Sequence, residues 1–218
     1  DGALPHVVHY ARGGVEGSVQ ARWLIDASGR AGLVRRKLDL LRPNAHDAGS
    51  VWFRVSRRID IDRWSTDSDW INRCDPPERW RSTNHLVGDG YWVWLIPLSS
   101  GSHSIGIVAD NRLHPIESMN SFSKAMDWLS HHQPRLFAEL DSMRDSVQDF
   151  AFFRRFSYDC AAVYDGNRRW ALTGEAGLFL DPFYSPGTDY IAFGNTFITD
   201  LIAKDRAGKP TGQLASIY

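Results

Sequence analysis

The sequence predicts a mixed α/β fold, and three observations carry that prediction. Short β-rich runs closed by glycine or proline recur along the first half of the 218 residues. Apolar residues at helical spacing follow at Met119, Phe122, Met126 and Leu129, and again near the C-terminus. Between them and the end, a short apolar strand runs into a glycine- and proline-rich segment that opens the last helix. The length suits one large domain or two small ones with a real core.

Taken in order, Val7 to Tyr10 is β-rich, Gly13 to Gly17 is a turn signal, and Ser18 to Ile25 climbs into an apolar strand ending at Asp26. A short basic helix is expected from Leu33 to Leu41, stopping before Pro43. Residues 49–110 read mostly as strand: Val51 to Val55, then Tyr91 to Ile96 ended by Pro97, paired with Ser104 to Ala109 across the turn Leu98 to Ser102. The stretch Asp60 to Asn84, rich in Trp and Arg, reads as irregular. An amphipathic helix is expected from Ile116 to Ser130, a second from Pro134 to Leu140, and a strand-like run from Phe150 to Tyr158. Trp170 to Thr173 is the short buried strand. Tyr190, Ile191, Phe197, Ile198, Leu201 and Ile202 form one apolar stripe of a final helix, about Thr188 to Ala203, and the tail from Gly208 reads as loose.

Composition narrows the function. The 43% hydrophobic share excludes a disordered chain. A formal charge of -1 offers no electrostatic footprint for nucleic acid or an anionic membrane. Cys74 and Cys160 lack metal-ligand spacing, so no metal site is expected, and reduced cytoplasmic thiols are favoured over a disulfide. There is no run of about 18 apolar residues to span a membrane. No signal peptide is visible; the chain begins at Asp1 without Met and reads as cut from something longer.

Three segments carry chemistry. Asp26-Ala27-Ser28-Gly29-Arg30 follows a strand with small residues, which lets a flat cofactor or its phosphates approach the main chain; alone it is equally an ordinary turn. Gly174 to Gly187 joins a strand to a long helix, and the N–H groups and partial positive charge of that helix start suit a ring that becomes anionic on reduction. In Trp92-Val93-Trp94-Leu95-Ile96-Pro97, period-two alternation puts Trp92, Trp94 and Ile96 on one face, a bulky wall that by pattern alone is a half-buried aromatic strand.

Together the three resemble the flavin-dependent halogenases. Trp92-x-Trp94-x-Ile96-Pro97 matches the family's WxWxIP signature. Asp26 to Arg30 is similar to its DASGR stretch, and Gly174 to Gly187 to its GDA…DPxxSxG segment. The order is the family's, and the resemblance covers nearly the whole chain. It implies the C-terminal portion of an FAD/NAD(P)-binding flavoprotein: residues 1–45 a remnant of the FAD-binding domain, 46–160 a substrate domain with a mixed sheet, and 161–218 the final strand and helix of the FAD-binding domain. It implies FAD, reduced by a partner flavin reductase, held by Ala27, Ser28, Gly29, Gly174, Glu175, Asp181, Pro182, Gly187 and Thr188. It also implies a halide ion at Gly187 and Thr188, and a barrier made by Trp92, Trp94, Ile96 and Pro97. The implied reaction runs through a flavin hydroperoxide and hypohalous acid to halogenate a small electron-rich aromatic, free or carrier-tethered. The barrier keeps that aromatic from the oxidant's source.

Departures from the family pattern matter equally. The glycine-rich GxGxxG is absent, since Gly13 to Gly17 has no helix after it, and the family's catalytic lysine belongs before Asp1. Lys37, Lys124, Lys204 and Lys209 sit in no matching motif. Glu175 replaces an aspartate. Pro186, without an N–H, stands where tryptophan halogenases use a backbone donor for halide. Tyr184 stands where those enzymes carry a substrate-site glutamate, which fits phenol- or pyrrole-type substrates better than free tryptophan. Two other readings stay open: an FAD monooxygenase or oxidoreductase without halide use, and an inactive truncated fragment. His131-His132, Arg154-Arg155 and Arg168-Arg169 read as surface groups.

Overall fold

The computed structural model describes residues 4–218. In chain order its strands and helices are β1 (His6–Arg12), β2 (Val15–Ala21), β3 (Leu24–Asp26), α1 (Leu33–Lys37), β4 (Leu41–Arg42), β5 (Ala48–Val55), α2 (Ser68–Ile71), β6 (Asn84–Gly88), β7 (Tyr91–Pro97) and β8 (His103–Asp110). Then follow α3 (Phe122–His132), α4 (Pro134–Asp141), β9 (Val147–Phe153), β10 (Asp159–Cys160), β11 (Tyr164–Asp165), β12 (Trp170–Leu172), α5 (Pro186–Arg206) and α6 (Gly212–Ile217). The fold is mixed α/β, in two compact units: one takes the chain up to Ala45 together with Ser157–Tyr218, the other His46–Phe156.

In the first unit, β1 and β2 form a hairpin whose two-residue turn, Gly13-Gly14, has both φ values positive, as a tight hairpin turn requires. The hairpin ends at Ala21, so the expected climb from Ser18 into Ile25 is broken, and Leu24–Asp26 belongs to a different sheet. That sheet runs β11-β12-β3, with β12 parallel to β3 and antiparallel to β11. Trp170, Ala171 and Leu172 are all buried, as a central strand demands. β4 pairs instead with β10, so the expected helix to Leu41 stops at Lys37.

α5 starts at Pro186 and runs to Arg206. Its buried positions are Gly194, Ile198, Leu201 and Asp205, one stripe at helical spacing. The expected stripe is corrected at its front: Tyr190 and Ile191 are 50% and 43% exposed. The tail is also corrected. Thr211 is buried and its hydroxyl donates to the Gly166 carbonyl at 3.0 Å, which seeds α6. Tyr218 stacks on Phe197 with centroids 4.5 Å apart and donates to Asp200 at 2.5 Å.

The second unit is a five-stranded antiparallel sheet, order β6-β7-β8-β5-β9, with α3 and α4 on one face. Val51, Phe53, Val93, Leu95, Ile105 and Ile107 point into that core and are fully buried. The expected helix from Ile116 begins instead as a single 3₁₀ turn, and α3 opens at Phe122 where the Ser121 hydroxyl accepts the Lys124 N–H. β6 begins at Asn84, the last residue of the stretch read as irregular. The rest of that stretch is held by side chains: Asp67 caps α2, Arg79 pairs with Asp62 at 3.2 Å and lies 3.8 Å from the Trp70 ring centre.

Candidate functional site

Parallel pairing of β3 with β12 sets Asp26 opposite Leu172, so the chain leaves both strands at one edge of the sheet. Open α/β sheets bind ligands at such carboxyl ends. Two of the chemistry-bearing segments therefore meet here.

After β3, the buried Asp26 carboxylate accepts the Ser28 N–H at 2.9 Å and the Val34 N–H at 2.7 Å. Burial pushes this carboxyl up, but the hydrogen bonds from Ser28 and Val34 outweigh it and its pKa falls below the ordinary value. Asp26 thus folds residues 27–33 into a fixed loop. Gly29 turns it with φ +62, and a side chain there would meet nothing within 4 Å.

After β12, Gly174 adopts φ +58 and a 3₁₀ turn carries Glu175 and Ala176. Arg35 from α1 holds this turn. It is 4% exposed, donates to the carbonyls of Glu175 at 3.0 Å and Gly177 at 2.8 Å, and lies 4.3 Å from the Tyr158 ring centre. The Tyr158 hydroxyl adds a 2.6 Å bond to the same Glu175 carbonyl. The Glu175 carboxylate itself pairs with Arg30 at 3.4 Å. Asp181 then accepts the Phe183 N–H at 2.8 Å, and Tyr184 and Ser185 both take left-handed backbone, φ 57. Consecutive non-glycine residues in that region are costly and concentrate at ligand-binding turns. Ser185 supplies no side-chain cap to α5. Pro186 brings no N–H, and the Thr188 N–H makes a long 3.4 Å bond to the Ser185 carbonyl.

A cavity of about 570 Å³ opens along this loop and the first half of α5. Gly174, Glu175, Asp181, Pro182, Gly187 and Thr188 line it. Ala27, Ser28 and Gly29 do not; they lie at the neighbouring strand end, joined to it through Arg30 and Arg35. The volume falls in the range of organic-ligand pockets. Tyr190, Ile191, Phe193 and Phe197 give it apolar walls, and a side chain at Gly187 would meet nothing within 4 Å. A flat ring system with one polar edge toward the start of α5 fits these residues. Tyr164, which also lines the cavity, has its pKa raised by burial.

In the second unit, Trp92, Trp94 and Ile96 share the sheet face opposite the core, with Val93 and Leu95 fully buried between them. The two indoles lie 5.8 Å apart, tilted by 46°. His85 packs edge-on to Trp92 at 5.3 Å, and its pKa is lowered by burial. Pro97 closes the strand opposite His103. Trp52 and Phe153, 5.2 Å apart, extend the same face across β5 and β9.

Sequence reasoning missed the two groups that brace the first unit. Arg35 was one of several basic residues in an expected helix. Asp205 accepts from Arg22 at 2.6 Å, Trp23 at 2.9 Å and Arg169 at 3.1 Å, partners that are distant in sequence. Arg169, read as a surface group, is thus part of a partly buried network around the Asp205 carboxylate. The Arg22 hydrogen bond is the main reason the Asp205 carboxyl lies far below the usual carboxylate range. Among the described residues, no helix is long and apolar enough to cross a membrane, and no His, Cys, Asp and Glu group is arranged to hold a metal ion.

No family model matches the chain. The flavin-dependent halogenase chlA of Dictyostelium discoideum is 29% identical over 191 residues, 83% of this chain and 30% of the relative. The tetracycline 7-halogenase of Kitasatospora aureofaciens is 28% identical over 187 residues, 80% of this chain and 32% of the relative. The chain thus spans about a third of the length of these relatives. Among solved structures, halogenase PltM in complex with phloroglucinol and FAD superposes with a TM-score of 0.71 at 17% identity, covering 94% of this chain and 43% of that one. In sequence over most of its length, and in fold, this chain is similar to the flavin-dependent halogenases.

Proposed function

We propose that this chain is part of an enzyme that halogenates an electron-rich aromatic compound using FAD reduced by a partner reductase. The observation that carries the proposal is the cavity at the β3/β12 edge, lined by Gly174, Glu175, Asp181, Pro182, Gly187 and Thr188. Those are six of the nine positions that the resemblance assigns to the flavin. In this reading the unit built from the chain up to Ala45 and from Ser157 onward belongs to the FAD-binding domain, and His46–Phe156 is the substrate domain.

When bound, FAD supplies the oxygen-activating chemistry. The chain's own residues bind and orient. Tyr190 and Ile191 would give its ring apolar walls, the start of α5 would offer it backbone donors, and Arg35 keeps the 174–177 turn in place. Trp92, Trp94, Ile96 and Pro97 serve as the barrier against the organic substrate. A small phenol or pyrrole, free or on a carrier, is the substrate class. The free cysteines Cys74 and Cys160 fit a reducing compartment such as the cytoplasm.

The test incubates the full-length protein with reduced FAD, oxygen, chloride or bromide, and a panel of phenols. Halide-dependent halogenated products are expected; hydroxylated products alone, or none under well-coupled conditions, would overturn the reading. Pro186 favours a second reading, an FAD monooxygenase without halide use. It removes one donor at the helix start, and the Thr188 N–H is already turned to Ser185. Products identical with and without halide would decide for it.

A further inference from the structure

Gly106 interrupts the apolar run of β8, directly between Trp94 on β7 and Trp52 on β5. A glycine inside a strand marks either unusual backbone or a close approach. The backbone is ordinary here, since Gly106 is not among the positive-φ glycines. The approach is what demands it: a Cβ on Gly106 would overlap Cζ2, Cη2 and Cε2 of the Trp94 indole. The ring therefore lies down across the β8 main chain instead of standing off the sheet. Two residue pairs along the ladder, the Trp94 Nε1–H donates to Ser104 Oγ at 3.1 Å, which fixes the rotation of the ring in that pose. Trp92, two residues earlier on the same face, packs against the ring so placed.

We infer that Gly106 and Ser104 are positioning residues for Trp94: the glycine gives the indole its bed and the serine its orientation. The consequence for chemistry rests on the barrier role given to Trp92 and Trp94 above. A barrier ring that stands up or rotates leaves a gap, so the pose set by β8 decides how well the wall separates oxidant from substrate.

The test begins with an optical readout that needs no activity. Two indoles at this separation couple their excited states, and the resulting circular-dichroism couplet is isolated as wild type minus Trp92→Phe. In the 218-residue chain, Gly106→Ala should remove most of that couplet. Ser104→Ala should shift the indole N–H Raman marker of Trp94 toward a weaker hydrogen bond. Gly106→Ala should also lower the melting temperature, and lower it much less in a Trp94→Ala background, because the three atoms the new Cβ would meet most closely all belong to that ring. A couplet unchanged by Gly106→Ala, or an equal melting loss in both backgrounds, overturns the inference. If Gly106→Ala does not fold, the Ser104→Ala Raman shift and the folding of Gly106→Ala/Trp94→Ala decide: no shift, or no recovery, overturns it. In the full-length protein, Gly106→Ala should also raise the escape of hypohalous acid to an added scavenger. Unchanged escape beside a lost couplet would leave the placement standing and sink the barrier reading instead.

Discussion

Asp205 is the perturbation with the clearest expected size. Its carboxylate is 6% exposed and receives Arg22, Trp23 and Arg169. Asp205→Ala removes the acceptor of the Trp23 N–H and one partner of the partly covered Arg169 guanidinium. Breaking a buried charge pair costs about 3–5 kcal/mol. The Arg22 side chain is 56% exposed and can return to water, which argues for the low end, about 3 kcal/mol. For a chain of this size that is a fall of about 6–12 °C in melting temperature. Asp205→Asn keeps an acceptor oxygen and should lose roughly half as much. The pH dependence follows from the lowered folded-state pKa. The contribution is complete above the unfolded carboxyl value of about 3.9 and is lost as pH falls through the folded value. Calorimetry should therefore find the wild-type advantage constant from pH 7 down to about 5 and shrinking below about 4. A melting loss under about 2 °C at pH 7, or an advantage that grows on acidification, would refute the reasoning.

Three further outcomes follow from the same structure. Arg35→Met should weaken FAD binding by about tenfold, read by flavin fluorescence titration, with Arg35→Lys failing to restore it because an ammonium loses the Nη2 bond to the Arg30 carbonyl and the planar contact with the Tyr158 ring. Gly174→Val forces a β-branched residue to φ +58 beside Ile191 at 3.2 Å, and should cost about 1–3 kcal/mol in denaturant titration. His103 is 2% exposed and accepts the Ile59 N–H at 3.3 Å, and its pKa is lowered by burial and then by Arg58. Its contribution is complete above the unfolded value of about 6.5 and lost as pH falls toward the folded value, so the urea midpoint should drop between pH 7 and 5 in the wild type and less in His103→Gln.

Where periodicity and turn chemistry act locally, the sequence was legible. The β7–β8 hairpin, the Gly13-Gly14 turn, α4 behind Pro134 and the two-faced character of Trp92 and Trp94 follow from near neighbours. The errors arise where a distant partner decides. α6 forms because Thr211 reaches Gly166 and Tyr218 reaches Phe197, and nothing in a polar tail announces either. Tyr190 and Ile191 have the spacing of core residues, yet they line a cavity, because helical period identifies a face and not what covers it. Gly106 was the readable signal left unread: an isolated glycine in a strand beside a tryptophan strand implies a ring lying on the main chain.

The strained pair Tyr184-Ser185 gives Arg35 and Asp205 a common purpose. Left-handed backbone at two adjacent non-glycine residues costs on the order of 1–3 kcal/mol each and persists only where the flanks are over-determined. On one side, Arg35 and Tyr158 clamp the 174–177 turn by its carbonyls. On the other, α5 is locked along its buried stripe and at its last turn by Asp205. The loop between them has its ends fixed at both sides and no freedom to relax into a regular helix cap. Arg35 and Asp205 thus hold the loop's shape from its two sides. Loosening either clamp should therefore weaken flavin binding before it unfolds the unit.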